Sequence, residues 1–141
     1  MSYKEKFDEI TNAYIDRVAL LMKNKAPYAG IFGIGHHPKD DACHLEYYNT
    51  IKSLVEECCA SSPSSDEADA LAEALMKCDS ERKEKAEIEM MFIPLQGFVK
   101  ELVPFLSEEK KTELSDWHRN YLPKKYLRFP VQNELCRALG I

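Results

Sequence analysis

Residues 7–21, FDEITNAYIDRVALL, show most clearly which secondary structure the chain prefers. Their apolar side chains recur at steps of three and four residues, which lines up Phe7, Ile10, Tyr14, Val18 and Leu21. Such a stripe is typical of a helix with one buried face, and it predicts a helix over about residues 3–24. Apolar and polar residues hardly alternate one by one anywhere in the chain, so the predicted fold class is all-α.

The next segment, residues 25–39, has a different composition. Its turn-forming residues exclude a long helix: Pro27, Gly30, Gly33, Gly35 and Pro38. Its apolar residues are numerous enough for the segment to pack against a bundle: Ile31, Phe32 and Ile34. We therefore predict a long, ordered, Gly-containing loop between the first and second helices. Loops of this length are usually either functional or disordered, and the apolar content of this one argues against disorder.

Two further helices follow this loop. Asp40 or Asp41 is the predicted N-cap of the second, whose expected buried face is Leu45, Tyr48, Ile51, Val55 and Cys58. After the linker SSPSS at residues 61–65, Ser64 and Glu67 have the spacing of a capping box. The stripe of the third helix is Ala68, Leu71, Ala72, Leu75 and Met76.

Residues 65–103 form either one helix or two. The charged stretch 79–89 contains no Gly or Pro, but the later apolar register does not continue the earlier stripe. That register runs across Pro94 through Ile88, Met91, Leu95, Phe98, Leu102 and Phe105. We favour a break near Ser80 and a second, Pro-kinked helix over about residues 82–103.

The C-terminal third contains two more helix signals. Ser107, followed by two glutamates, predicts the start of a fifth helix, with Pro123 as its end. Its stripe is Leu114, Trp117, His118 and Tyr121. A short helix over about residues 131–139 ends at Gly140. Together these signals predict a single helical domain over residues 1–141, a bundle of about five or six helices.

Length and composition restrict the class of protein. The 141 residues, 45% of them hydrophobic, suffice for one core that needs neither a disulfide nor a structural metal. No apolar run approaches the roughly 20 residues of a membrane span, and the start, MSYKEKFDEI, lacks the apolar region of a signal peptide. Five cysteines, an odd number, are interpreted as reduced thiols, so we expect a cytoplasmic protein.

Charge is unevenly distributed along the chain. The net charge is −5, and residues 40–89 carry 14 acidic and 5 basic side chains. Such an acidic middle makes a nucleic-acid partner unlikely, because duplex binding needs many phosphate contacts. One stretch has the opposite charge: it is basic and aromatic, with Arg119, Lys124, Lys125, Tyr126 and Arg128. It is either an anion-binding surface or, as we favour, a solvated connector.

Potential metal ligands cluster between the predicted loop and the second helix: His36, His37, Asp40, Asp41 and His44. On a helix starting at residue 40, Asp40 and His44 share one face, and imidazole with carboxylate suits Zn²⁺ or a similar divalent ion. His118 would be a further ligand only if the predicted fifth helix packs against this cluster. The competing interpretation, which we favour, makes the aspartates helix caps and His44 a hydrogen-bonded core residue.

Three classes of function stay open on this sequence. The favoured one is a small binding or regulatory module that uses residues 25–44 to engage a small molecule or a protein. The alternative is a metal-binding protein or metal-dependent enzyme that uses the cluster at residues 36–44. The third is a structural protein that self-associates as a homo-oligomer through apolar surface. Substrate, reaction and oligomeric state do not follow from the residues.

Overall fold

A computed structural model describes residues 1–23, 38–86, 95–125 and 130–140. All regular structure in these ranges is helical, so the all-α prediction is confirmed. The predicted loop lies outside the described residues, apart from residues 38 and 39, which are helical. The helices are α1 (Tyr3–Lys23), α2 (Pro38–Ala60), α3 (Ser65–Ala86), α4 (Val99–Leu102), α5 (Glu108–Lys125) and α6 (Pro130–Leu139). No helix in the described part is long and apolar enough to span a membrane.

Helix α1 packs against both α2 and α3. Its pairing with α2 is antiparallel, as two side-chain hydrogen bonds show: Thr11 contacts Tyr47, and Tyr14 contacts His44. A step of three residues forward on α1 therefore matches a step of three residues back on α2. The predicted stripe of α1 is buried at Phe7, Tyr14 and Val18 and partly buried at Ile10.

Helix α3 provides the aliphatic centre of the core. Four residues of its predicted stripe are fully buried: Ala68, Leu71, Ala72 and Leu75. Met76, the fifth, is partly buried and packs beside them. The Ser64 hydroxyl accepts a hydrogen bond from the backbone N–H of Glu67 at 3.2 Å, as the capping box predicts. The apolar stripe and the Ser64 cap are both local signals, and both are confirmed.

Helix α2 has a wider buried face than predicted. Ile51, Val55 and Cys58 are buried as expected, but Leu45 is 56% exposed, so that part of the prediction is wrong. Tyr47 and Leu54 are buried instead. The physical reason is that α2 contacts α4 as well as α1, so its buried face is centred between two neighbours.

The structure corrects the predicted break near Ser80. Helix α3 runs through Ser80 to Ala86, since the charged stretch contains no residue that disrupts a helix. Residues 96–105 form α4 between two 3₁₀ turns, Gln96–Phe98 and Val103–Phe105, and not one kinked helix. Pro104 lies in the second turn and lacks the N–H that would extend α4. Pro94 lies outside the described residues.

A polar junction joins α3 to the start of α5. The Asp69 carboxylate accepts hydrogen bonds from the Ser107 N–H at 3.0 Å and the Ser107 hydroxyl at 2.5 Å. Ser107 Oγ in turn accepts from the Lys110 N–H at 3.1 Å, which confirms Ser107 as the N-terminal cap. The partner from α3 could not be read from spacing, because 38 residues separate Asp69 from Ser107.

The last two helices differ from prediction at one boundary. Helix α5 continues past Pro123 to Lys125, so the expected stop at Pro123 is wrong. Proline's fixed φ is compatible with a helical backbone, although its missing N–H removes one hydrogen bond. Helix α6 begins at Pro130, a favoured first position, and ends before Gly140, whose φ is +77°. The short C-terminal helix and its glycine stop are confirmed.

Candidate binding groove between α1 and α2

A groove runs along the outer side of the α1/α2 seam, and we call it the hairpin groove. It consists of two adjoining cavities of about 240 and 410 Å³, which share Ile10 and Thr50. Residues spaced three and four apart line it from each helix, because that spacing keeps side chains on one face. They are Lys6, Glu9, Ile10, Ala13, Tyr14 and Arg17 from α1, and Cys43, Glu46, Tyr47, Thr50, Ser53, Leu54 and Glu57 from α2.

An ion pair connects the two helices at each end of the groove. Arg17 Nη1 lies 2.9 Å from Glu46 Oε2 at one end, and Lys6 Nζ lies 3.9 Å from Glu57 Oε1 at the other. The pairs are eleven residues apart on each helix, or roughly 16 Å at 1.5 Å per residue. The antiparallel register thus holds along the whole groove.

The space between the ion pairs exists because the side chains on its rim are small. Ala13 on α1 and Thr50 and Ser53 on α2 are exposed there. Thr50 also turns its hydroxyl back to its own helix, where it donates to the Glu46 carbonyl oxygen at 2.8 Å. The threonine methyl group and the Ala13 methyl group are therefore available to an occupant.

Two stacked tyrosines form the floor at the Arg17 end. The rings of Tyr14 and Tyr47 lie 3.9 Å apart between centroids and 10° from parallel, and both residues are buried. Their hydroxyl groups enter the interior: Tyr47 shares a 2.6 Å hydrogen bond with buried Thr11, and Tyr14 bonds His44 Nδ1. Because buried polar groups cost free energy unless they are paired, these bonds fix the tyrosines under the groove.

The charges at the rim are mostly paired. The hydrogen bond from Arg17 to Glu46 raises the pKa of the guanidinium, which therefore stays charged. Glu9 is exposed, and its carboxylate makes no ion pair within the described part of the chain. The groove thus combines an apolar, aromatic floor with charged ends, which is the composition of a site for a small amphipathic molecule.

The residues of the predicted metal site are only partly described. His36 and His37 lie outside the described residues. Helix α2 begins at Pro38, so Asp40 and Asp41 lie in its first turn and not at its N-cap as predicted. Their side chains are outside the described part.

His44 is half-buried, and its Nδ1 is hydrogen-bonded to Tyr14, in agreement with the core interpretation. Among the described side chains, no three His, Cys, Asp or Glu residues form a group able to hold a metal. That result does not include His36, His37, Asp40 and Asp41, so Zn²⁺ binding at residues 36–44 stays a prediction.

The cysteines follow the expectation for reduced thiols where they are described. Cys58 is buried and Cys59 only partly so, as adjacent positions on a helix require. Burial raises the pKa of the Cys58 thiol to about 11. It also raises the pKa of Cys59, whose Sγ donates to the Glu101 carbonyl at 3.3 Å. Thiols that ionise this reluctantly are poor nucleophiles.

The basic stretch is not a connector over most of its length. Arg119, Lys124 and Lys125 belong to the C-terminal part of α5, while Tyr126 and Arg128 lie outside the described residues. The side chains of residues 118–125, including His118, are also outside the described part. An anion-binding role for this stretch remains untested.

Sequence reasoning missed the hairpin groove itself. Its signal is the repetition of one spacing in both helices, residues 10, 13, 14 and 17 against 43, 46, 47 and 50. This match has meaning only once the antiparallel register is known. Comparisons with protein-family models, with curated proteins and with solved structures found no match to this chain.

Proposed function

We propose that the protein is a small cytoplasmic binding module whose ligand site is the hairpin groove. The observation that carries this proposal is a groove with an apolar, aromatic floor, small rim residues and an ion pair at each end. The groove includes Cys43, which lies within the 25–44 region that the sequence favours for binding, and Glu46, which follows it closely. The buried thiols of Cys58 and Cys136 support the location, because reducing compartments preserve them.

The chemistry of the site supports binding rather than a reaction. Both tyrosine hydroxyls that could take part in proton transfer are held in interhelical hydrogen bonds below the floor. Recognition by such a site depends on apolar contact area, with a few polar groups setting orientation. A molecule that lies between the ion pairs would contact both helices and stabilise the hairpin against opening.

The test uses 1-hexanol as a neutral amphipathic probe and follows the backbone amide signals by NMR. We expect saturable shifts at Ile10, Thr50 and Leu54, the residues that line the middle of the groove. The double variant Ala13→Trp/Ser53→Trp fills both cavities, because Ala13 lines the smaller one and Ser53 the larger one, and it should abolish these shifts. Asn12→Trp/Lys52→Trp is the matched control, since Asn12 and Lys52 are the exposed neighbours outside the groove.

Shifts that spread over all helices, or that persist in Ala13→Trp/Ser53→Trp, would exclude the groove as the site. The same holds if hexanol produces no saturable shift up to its solubility limit. Circular dichroism of both tryptophan variants checks that the helical content is unchanged.

A further inference from the structure

The charge of the hairpin groove is unequal along its length. The larger cavity, of about 410 Å³, has one carboxylate on each wall, Glu9 on α1 and Glu57 on α2. Lys6 is the one cation that lines it among the residues that the structure describes. The Lys6 ammonium lies 3.9 Å from Glu57, a long ion pair, and 4.9 Å from the centre of the Tyr3 ring. The described lining therefore carries two carboxylates against one ammonium group.

Apolar surface lies next to these carboxylates. Ile10 from α1 and Leu54 from α2 line the same cavity, and Leu54 is 5% exposed. An occupant with a charged head and an alkyl chain would match both features, the chain replacing water over Ile10 and Leu54. Helix α2 has a net charge of the same sign, since it carries five acidic side chains against two basic ones. That net charge concentrates cations at the α2 wall.

We infer that the hairpin groove binds an organic cation with an apolar body. Its ammonium group faces Glu9 and Glu57, and its alkyl chain lies over Ile10 and Leu54. This inference rests on the proposed function and names the ligand class. An anionic ligand of the same shape would face two like charges, and a neutral one would forgo the attraction to them.

The experiment compares hexylammonium with 1-hexanol, which has the same alkyl chain and no charge. NMR titration at low salt should give a dissociation constant about threefold lower for hexylammonium, the size expected for exposed ion pairs. The advantage should shrink towards nothing at 1 M salt, where the Debye length is roughly 3 Å. The affinity for hexanol should not fall with added salt.

Variants then locate the charge effect. The double variant Glu9→Gln/Glu57→Gln should bind hexylammonium no more tightly than hexanol. Glu5→Gln/Glu56→Gln is the matched control, because Glu5 and Glu56 are exposed glutamates of α1 and α2 that do not line the groove. It removes one charge from each helix, as the test variant does, and should preserve most of the difference between the probes.

The two proposals fail in different ways. Equal binding of both probes in the groove would overturn the cation inference and leave the binding module standing. An equal loss of affinity in Glu5→Gln/Glu56→Gln would assign the effect to net charge and also overturn the inference. If neither probe produces shifts in the groove, the proposed function and the inference are overturned together.

Discussion

The contacts around α3 and the seam between α1 and α2 hold the bundle by different chemistry. Around α3, the buried residues are aliphatic, as at Leu71 and Leu75, and they pack without polar contacts of their own side chains. Between α1 and α2, Thr11 is hydrogen-bonded to Tyr47 inside the protein. An aliphatic seam is stable in many registers, whereas a polar seam is stable only when its donors and acceptors meet. The α1/α2 pairing is therefore the more specific one, and the groove lies above it.

The largest effect is expected in the aliphatic seam. Leu71 is fully buried, so Leu71→Ala should lower the free energy of unfolding by about 2–5 kcal/mol through lost apolar contact and a cavity. Urea denaturation followed by circular dichroism measures this loss. Hexanol shifts in the folded variant should be unchanged, because Leu71 does not line the groove. A loss below about 1 kcal/mol would show that α3 is not the centre of the core.

The polar seam should respond differently to single and double substitution. Thr11→Val removes the hydrogen bond that the Tyr47 hydroxyl makes to α1 in the interior and should cost about 1–3 kcal/mol. Tyr47→Phe should cost a similar amount. The double variant removes both polar groups and should be less destabilised than the two single costs predict together. Strictly additive costs in urea denaturation would show that the two hydroxyls do not interact.

Local signals predicted the elements well, and contacts between elements decided what the sequence did not reveal. Ser64 and Ser107 were predictable caps because each bonds a backbone N–H three residues away. Leu45 was wrongly assigned to the buried face, since the second neighbour of α2 could not be known from one periodicity. The Asp69 bond to Ser107 and the hairpin groove depend on tertiary register, which spacing within one helix does not define.

The buried thiol of Cys58 makes the free energy of unfolding depend on pH. Its pKa is about 11 in the folded protein against an ordinary value of 9.0, so the folded state favours the neutral thiol. The resulting stabilisation is complete below pH 9 and is lost as the pH rises towards 11. The difference in unfolding free energy between the protein and Cys58→Ala should be constant below pH 9 and shrink above it. A difference that stays constant to pH 11 would contradict burial of this thiol.

The smallest effect is expected at Leu45, where the structure departs from the sequence pattern. Leu45 is 56% exposed on α2, so Leu45→Gln should change the free energy of unfolding by less than about 0.5 kcal/mol. Ile51→Gln, at a fully buried position of the same helix, is the contrasting variant and should destabilise the protein strongly. If Leu45→Gln is destabilising as well, an apolar partner covers Leu45 in solution. Size-exclusion chromatography over a range of protein concentrations would then show whether that partner is a second copy of the chain, because self-association depends on concentration.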